Sequence, residues 1–265
     1  MRTRTGMIGA ALLVLSASAS WGAGYSHSAT GVAGQVGNGG HEGATCGAVL
    51  LTQSTSQSIV ALNSVSCNTG GIHADNSYFR VYDMTGYPDG FDVCEVQVGV
   101  EEAVGAGGTQ PITVNVYSNT GGAFPAGTPT LLGTAAVNIP DSSLTVISVP
   151  LAASFPAGGT EMVVEVFTPD GSAAGNSFFI GSNNLGESGP SYLLAADCGV
   201  TVPTPTGAIG FGNMQIVLDV GGDAVGGPPP PSVVEVPTLG GWGLALLVVA
   251  LAGAAFVALR KRAVA

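Results

Sequence analysis

Apolar and polar residues alternate along several short segments in the middle of the chain. The clearest segment covers residues 92–100, where Cys94, Val96, Val98 and Val100 share one parity and the residues between them include Glu95 and Gln97. Successive side chains of a strand point to opposite faces of a sheet, so this pattern predicts a half-buried strand. The same alternation occurs in four further segments, at residues 112–116, 145–151, 162–166 and 214–218.

Other apolar segments of strand length bring the predicted total to roughly ten strands. They cover residues 59–65, 78–84, 131–139, 178–180 and 191–195. Turn sequences separate the segments, including Pro-Asp-Gly at 88–90 and again at 169–171. No segment of this region has the 3.6-residue spacing of an amphipathic helix. Many short strands without intervening helices predict an all-β fold, an antiparallel β-sandwich or jelly roll.

The first 23 residues have the order of a secretory signal peptide. Arg2 and Arg4 precede an apolar stretch at residues 7–15, and small or polar residues follow at 16–20. We expect cleavage between Ala19 and Ala23. The alternative is an uncleaved anchor, which is disfavoured because a membrane span needs about 20 apolar residues.

A second apolar stretch, from Trp242 to Leu259, predicts one C-terminal transmembrane helix. At about 1.5 Å per residue its length is roughly 27 Å, close to the thickness of the hydrocarbon core of a bilayer. Arg260, Lys261 and Arg262 follow directly and predict a membrane stop, with the C-terminus in the cytoplasm. A buried core helix is the alternative, but core helices rarely lack polar residues on every face.

Charged residues are distributed unevenly between the ends and the middle of the chain. Five of the six Lys and Arg residues lie in the two terminal segments, and Arg80 alone lies between them. All 17 acidic residues lie between Glu42 and Glu235, so the exported part carries a formal charge of −16. Such a surface repels nucleic acid and anionic lipid, disfavours phosphate recognition and attracts divalent cations. Acidic surfaces also occur in salt-adapted proteins, so the charge alone assigns no function.

All four cysteines lie in the exported part, where an oxidising compartment favours disulfides. Their spacing contains no Cys-x-x-Cys, which argues against a zinc site or a redox motif. Four cysteines allow three pairings. We favour Cys46 with Cys94 and Cys67 with Cys198, because the first and last strands of a sandwich are often neighbours.

These patterns divide the chain into five segments. The signal peptide at 1–23 precedes a Gly/Ser-rich lead-in at 24–43, which shows no periodicity and is expected to be loosely packed. The β-sandwich ectodomain spans 44–220. A Gly/Pro-rich linker at 221–235 contains the run Pro-Pro-Pro-Pro and predicts a semi-rigid spacer. Residues 236–265 form the final segment.

The final segment opens with Val-Pro-Thr-Leu-Gly-Gly-Trp-Gly, ahead of the apolar stretch and the basic cluster. This order resembles the IPTL-CTERM family of sorting signals, in which Ile-Pro-Thr-Leu and two variable residues precede Trp-Gly. Val236 stands in place of the isoleucine. The matching residues are Pro237, Thr238, Leu239, Trp242 and Gly243. The resemblance implies a Gram-negative-type envelope and an exosortase-like membrane transpeptidase that cuts near the motif.

The physical properties of the motif agree with that resemblance. Pro237 disfavours a helix and keeps its neighbours extended and accessible to a protease, and Trp242 suits the membrane–water interface. An ordinary single-span anchor with an interfacial tryptophan is the alternative. The middle of the chain also resembles, more loosely, β-sandwich modules of secreted bacterial proteins, through residues 76–81, 112–122, 175–183 and 196–199. That resemblance implies export and a fold and no activity.

No arrangement typical of an enzyme occurs in the exported part. Its lack of lysine excludes a P-loop, a Schiff-base enzyme and a Ser-Lys dyad. His27, His41 and His73 are widely separated, and we expect them at the surface. The pair Glu101 and Glu102 has the chemistry of a glycosidase, but surface positions are favoured for it. We therefore expect no catalytic activity.

We expect no cofactor. The alternative is bound calcium, since Asp-Gly and Asn-rich loops of a sandwich supply oxygen ligands. No EF-hand or nonapeptide spacing is present. The candidate ligands are Asp89, Asp92, Asp170, Asn183 and Asn184. We expect Arg80 to pair with a nearby Asp or Glu; the alternative is that its planar guanidinium binds a carboxylate or a sugar acid.

Three functions follow from these observations. The leading one is a structural or adhesive component of the cell surface, whose partner is an extracellular glycan or matrix. A carbohydrate-binding module requires exposed Trp or Tyr on a sheet face, yet the exported part has few tyrosines and no tryptophan beyond Trp21. A secreted hydrolase lacks any recognisable arrangement of residues. We expect a precursor anchored in the inner membrane and a mature protein in the envelope, at the surface or secreted.

Overall fold

The computed structural model describes residues 24–26, 36–37 and 46–227. Within these ranges the chain forms antiparallel β-sheet and two short 3-10 helices, Ala196–Cys198 and Thr206–Ile209. The all-β prediction is therefore confirmed for the part of the chain that is described. No helix in that part is long and apolar enough to cross a membrane. The predicted signal peptide and the predicted span at 242–259 both lie outside the described residues.

The strands are numbered here in chain order. They are β1 (Gly24–Ser26), β2 (Val36–Gly37), β3 (Val49–Leu51), β4 (Ile59–Val60), β5 (Ser66–Thr69), β6 (Ile72–His73), β7 (Asn76–Asp83), β8 (Phe91–Val104), β9 (Thr109–Thr120), β10 (Thr128–Pro140), β11 (Ser142–Phe155), β12 (Glu161–Thr168), β13 (Ser177–Ile180), β14 (Ser182–Asn183), β15 (Tyr192–Ala195), β16 (Val200–Pro205), β17 (Gln215–Ile216) and β18 (Leu218–Ala224).

Two sheets contain most of these strands. The larger sheet has six strands in the order β10-β9-β12-β7-β15-β16. The smaller sheet has the order β11-β8-β18-β3, and β13 also pairs with β8. Strand β18 pairs with β8 from Phe91 to Val98, and β13 pairs with it from Val100 to Val104, so the two share one edge of β8. Every pairing is antiparallel, as the short turns between strands require.

One hydrophobic core receives side chains from both sheets. Val96, Val98 and Val100 come from β8 of the smaller sheet, and Val114 and Val116 come from β9 of the larger one. All five are 0% exposed. Burying such a side chain stabilises a fold by about 1.5–3 kcal/mol, so the alternating residues of these strands hold the two sheets together. Valine is common here because a β-branched side chain fits the pleated surface of a strand.

Strand β8 is buried on its second face as well, which differs from the half-buried strand that its alternation predicts. Glu95, Gln97 and Glu101 are 3%, 3% and 0% exposed. Glu101 explains part of this burial, because its carboxylate accepts hydrogen bonds from backbone N–H groups of a loop that covers the sheet. At Glu101 the polar face of β8 is therefore covered by a loop instead of being exposed to water.

Strands of the described chain also occur outside residues 44–220, the range predicted for the β-sandwich. The last strand continues to Ala224 and so takes up the first residues of the predicted linker at 221–235. Glycine is required there, because a Cβ on Gly222 would lie 2.3 Å from the carbonyl oxygen of Asp92. The predicted lead-in at 24–43 also contributes strands. Within it, β1 pairs with β5 and β2 pairs with β4, and the Tyr25 ring packs edge-on against Phe211 at 5.3 Å between centroids.

Two disulfides connect distant parts of the described chain. Cys46 is bonded to Cys94 and Cys67 to Cys198, which is the pairing that the sequence favoured. The first ties the segment before β3 to β8. The second ties β5 to the 3-10 helix that follows β15. No described cysteine is free.

Removing the two disulfides one at a time should destabilise the protein unequally. Cys67 and Cys198 are 131 residues apart, and Cys46 and Cys94 are 48 apart. A longer closed loop restricts the unfolded chain more, so the Cys67→Ala/Cys198→Ala variant should lose about 1 kcal/mol more unfolding free energy than Cys46→Ala/Cys94→Ala. Denaturant unfolding measures both. In dithiothreitol wild type also lacks its disulfides, so the difference in unfolding free energy between the two variants should shrink. An equal loss of unfolding free energy by both variants in oxidising buffer would contradict the loop-length argument.

Candidate functional site

The residues of the predicted sorting motif and membrane stop lie outside the described residues. These are Val236, Pro237, Thr238, Leu239, Trp242, Gly243, Arg260, Lys261 and Arg262. The five candidate calcium ligands, in contrast, all lie within the described range 46–227.

The five candidate calcium ligands are not brought together. Asp92 lies near the start of β8. Asp170 lies near the other end of that strand, because the turn that follows Asp170 contains Asn176, which bonds Ala106 just after β8. Twelve strand residues at about 3.3 Å each separate those ends by roughly 40 Å. Asn183 is buried, and both atoms of its amide have protein partners: Nδ2 donates to Ser56 O, and Oδ1 accepts from Leu185 N. Asp89 and Asn184 are exposed.

In the described residues, no three His, Cys, Asp or Glu side chains converge in a group able to hold a metal ion. Asp92 accepts a hydrogen bond from Ser154 Oγ at 2.8 Å, and Asp170 accepts one from the backbone N–H of Ser172 at 2.7 Å. These two carboxylates therefore stabilise a strand pair and a turn. The sequence could not show this, because it does not reveal which end of the sheet each loop occupies.

Glu101 and Glu102 are buried, which corrects the surface positions expected for them. Oε1 of Glu101 accepts from Leu62 N at 2.9 Å, and Oε2 accepts from Asn63 N at 3.2 Å and Ser64 N at 2.8 Å. Leu62 has a φ of +58°, which an L-residue adopts only when other contacts hold it. The Glu101 carboxylate therefore fixes the loop at residues 62–64 by accepting hydrogen bonds from three backbone N–H groups.

Arg80 is a fully buried structural residue. It is 0% exposed and lies on the core side of β7, as Val164 does opposite it on β12. Its Nη1 donates to Glu187 Oε2 at 2.8 Å and to Gly189 O at 2.6 Å, and its Nε donates to Ile216 O at 2.9 Å. The expectation of a pair with an acidic residue is therefore correct. An external carboxylate or sugar acid would have to displace these internal partners.

His73 is also buried, at 1% exposure, in contrast to its expected surface position. Its Nδ1 lies 2.9 Å from the carbonyl oxygen of Asn176, so Nδ1 carries the proton and donates. Nε2 then accepts from Nε2 of Gln110 at 3.3 Å. Both contacts are satisfied by the neutral ring. Burial lowers the pKa of His73 below its ordinary value of 6.5, although the carbonyl oxygens and the carboxylates of Asp170 and Asp75 oppose the shift.

The outer face of the larger sheet carries polar and aromatic side chains that the sequence analysis missed. Glu165 Oε2 accepts from Tyr117 Oη at 2.7 Å and from Asn115 Nδ2 at 3.0 Å. Burial, together with the bond to this carboxylate, raises the pKa of Tyr117. Next to them, the Phe124 ring packs against Phe79 at 5.4 Å and Tyr192 at 5.2 Å between centroids. The loop that contains Phe124 therefore folds back onto the sheet.

A row of oxygen-bearing side chains crosses this face beside that loop. Asn119 of β9 lies opposite Glu161 of β12, and Glu161 lies opposite Asp83 of β7. With Thr85, Thr160 and residues 120–123, these side chains line an open cleft of about 420 Å³. The alternation within β9 and β12 signals which residues face outward. The register between strands, which sequence alone does not provide, decides that these three are neighbours.

Comparison with known families identifies an IPTL-CTERM motif at residues 236–261. The chain carries this sorting signal. The IPTL-CTERM signal confirms the resemblance based on Pro237, Thr238, Leu239 and Trp242, and it indicates an exported protein that an exosortase-like membrane enzyme processes.

Comparison with curated sequences finds no match. Among solved structures, the clostridial cysteine protease Cwp84 after propeptide cleavage aligns with 60% of this chain at 14% identity and a TM-score of 0.40. The aligned part spans 42% of that protease, less than half of its length. A likeness at this TM-score carries no argument about the fold or activity of this chain.

Replacing Arg80 with methionine should strongly destabilise the protein. The change leaves the Glu187 carboxylate and the Ile216 and Gly189 carbonyls without their donor, and breaking a buried pair in this way costs about 3–5 kcal/mol. Denaturant unfolding measures the loss. Adding Glu187→Gln to Arg80→Met should restore part of it, because the uncompensated charge is removed. An Arg80→Met protein within about 0.5 kcal/mol of wild type would contradict a structural role.

His73 should make stability depend on pH below its ordinary pKa of 6.5. Because burial depresses the folded pKa, the unfolded chain takes up the proton first, and unfolding free energy should fall as pH decreases from 6.5 towards the folded value. His73→Gln should flatten this slope between about pH 5 and 7, above the range where carboxylates titrate. Chemical unfolding at fixed ionic strength measures it. Above pH 7 the plots of unfolding free energy against pH should run parallel for wild type and His73→Gln. The same slope in both proteins between about pH 5 and 7 would contradict the assignment of the pH dependence to His73.

Proposed function

We propose that this chain is a structural or adhesive protein of the cell envelope, carried there by export and by processing of its IPTL-CTERM signal. The observation that supports this proposal is the order of motif, apolar stretch and basic cluster within the last 30 residues or so. The apolar stretch holds the precursor in the inner membrane, and the basic cluster keeps its C-terminus in the cytoplasm. The exosortase-like transpeptidase then cuts near Pro237 and releases the folded part to the envelope, the surface or the medium.

The folded part has properties that suit a structural role outside the cell. Two sheets that share one core favour the sandwich arrangement, and two disulfides link segments far apart in the chain. A crosslinked β-fold of this kind tolerates an environment without chaperones. Its formal charge of −16 keeps it soluble and suits contact with cationic groups or divalent metal ions of an extracellular matrix.

Catalysis and carbohydrate stacking have less support. The acidic residues with the chemistry of a glycosidase are engaged, since three backbone N–H groups bond the carboxylate of Glu101. A sugar-binding platform needs exposed aromatic rings, and the six described tyrosines are all buried or half-buried. We therefore propose a non-enzymatic surface component, with a glycan-binding module as the weaker candidate.

Changing the motif should stop the processing of the precursor. Replacing Pro237 and Thr238 by alanine alters the segment that the enzyme would read, but it leaves the apolar stretch and the basic cluster unchanged. In a host that contains the enzyme, wild type should lose residues downstream of the cut, whereas the variant should keep its full mass and stay in the membrane fraction. Intact mass spectrometry with cell fractionation measures both.

The matched control replaces Pro230 and Pro231, which lie outside the motif, with alanine. This control should be processed as wild type is, because it removes two nearby prolines without touching the motif. A wild-type protein that keeps residues 242–265 in that host would overturn the proposal. Identical processing of wild type and the motif variant would do the same.

A further inference from the structure

A slot lies on the outer face of the larger sheet, where β7 runs between β12 and β15. Ser77 of β7 is the direct register partner of Phe167 on β12 and of Leu194 on β15. Opposed side chains of neighbouring strands share a face of the sheet, so Phe167 and Leu194 flank Ser77 on its two sides. These three residues and the exposed Asp75 and Thr201 are among those that line an open pocket of about 280 Å³.

The two walls of the slot are apolar. Phe167 is half-buried, and within the described residues it belongs neither to the core between the sheets nor to the rings around Phe124. An aromatic side chain placed in this way at a pocket offers apolar area to a ligand. Adjacent strands lie about 4.8 Å apart, so roughly 10 Å separates the strands that carry Phe167 and Leu194. The side chains take up part of that width, which leaves space for one ring-shaped ligand.

The floor of the slot is a hydroxyl group without a protein partner. Ser77 is 5% exposed, and its Oγ makes no hydrogen bond within the part of the chain that the structure describes. Polar groups buried to this degree normally have a partner. The adjacent Asn76 does, since its Oδ1 accepts from Cys67 N at 2.9 Å and its Nδ2 donates to Cys67 O at 3.1 Å. Because the pocket reaches Ser77, the partner of its hydroxyl is a group that enters the slot from outside.

Acidic residues surround the mouth of the slot. Oδ1 of the exposed Asp75 accepts from the backbone N–H of Asp170, which leaves Oδ2 to accept from a ligand. Asp170 is also exposed, and the exposed Asp197 follows Ala196, another residue that lines the pocket. Arg80, the one Lys or Arg of the described ranges, lies on the opposite face of β7. The mouth therefore repels anions, and the Asp75 carboxylate is a strong acceptor for a hydroxyl group.

We propose that this slot binds one neutral pyranose residue of an extracellular glycan, with the sugar ring between Phe167 and Leu194. A pyranose carries C–H groups on its two faces and hydroxyls around its edge. Its faces suit the apolar walls, and its hydroxyls reach Ser77 Oγ at the floor and Asp75 Oδ2 at the mouth. A lysine side chain has a polar group only at its tip, so it would leave either the floor or the mouth without a partner.

The size of the pocket limits how much of a glycan it holds. Pockets for small molecules have volumes of roughly 300–1,000 Å³, so a pocket of about 280 Å³ fits a single sugar residue. A slot holds that residue between two walls, so it does not need the fully exposed ring of a flat platform. The glycan as partner rests on the proposed adhesive role, whereas the slot depends only on the fold. Because one small site binds weakly, adhesion requires many copies that contact one glycan surface.

The test is a saturation-transfer NMR titration of the full-length protein, in a detergent without a sugar headgroup. The probes are the methyl glycosides of glucose, galactose, mannose and N-acetylglucosamine. At least one of them should bind wild type with a Kd of about 1 mM, as expected for so small a ligand. Ser77→Ala should weaken that binding about fivefold, because one hydrogen bond is lost. The melting temperature of this variant should hardly change, since Ser77 Oγ bonds no described protein group.

Ser118→Ala is the matched control and should bind the glycoside as wild type does. Ser118 is 7% exposed in the same sheet, but it lies on the core side of β9, opposite Met162 of the core. Three results would overturn the site: no binding of any glycoside, equal affinity in wild type and Ser77→Ala, or preferential binding of N-acetyl-lysine methylamide. Because purified protein is titrated, none of these results depends on processing of the IPTL-CTERM signal.

Discussion

Strand β8 is the element on which the other parts of the described structure depend. Its 14 residues pair with β11 along one edge and with β18 and β13 along the other. Val96, Val98 and Val100 enter the core shared with the larger sheet. On the opposite face, the Glu101 carboxylate holds a loop by accepting hydrogen bonds from backbone N–H groups. Cys94 of the same strand forms a disulfide with Cys46. Because both faces are occupied, a one-residue slip of β8 would place carboxylates in the core.

The scarcity of cations shapes how this protein uses its acidic residues. Arg80 is the one Lys or Arg within the described ranges and is entirely internal, so the other carboxylates there accept hydrogen bonds from neutral donors. The Glu101 carboxylate accepts hydrogen bonds from backbone N–H groups, and the Glu165 carboxylate accepts them from a tyrosine hydroxyl and an asparagine amide. Hydrogen bonds to the charged form can compensate for burial, but they do not cancel the repulsion between neighbouring carboxylates.

Sorting and folding depend on different parts of the chain. The IPTL-CTERM signal at residues 236–261 is a short linear motif followed by an apolar stretch. The described fold instead depends on strands that meet only when the chain folds, such as β8 of the smaller sheet and β9 of the larger one, whose valines share one core.

The sequence alone determined what depends on local order. Alternation placed strands at β8, β9, β11 and β12, and motif, apolar stretch and basic cluster predicted the IPTL-CTERM signal that the family comparison identified. The favoured disulfide pairing was also correct, on the argument that terminal strands adjoin. Tertiary structure decided which carboxylates are neighbours. Asp89, Asp92 and Asp170 looked suitable as calcium ligands because they lie in or beside turns, yet β8 separates Asp170 from the other two. Strand register instead makes Asp83, Glu161 and Asn119 neighbours on one face of the larger sheet. The physical reason is that register is set by contacts between segments far apart in the chain, and no local pattern records them.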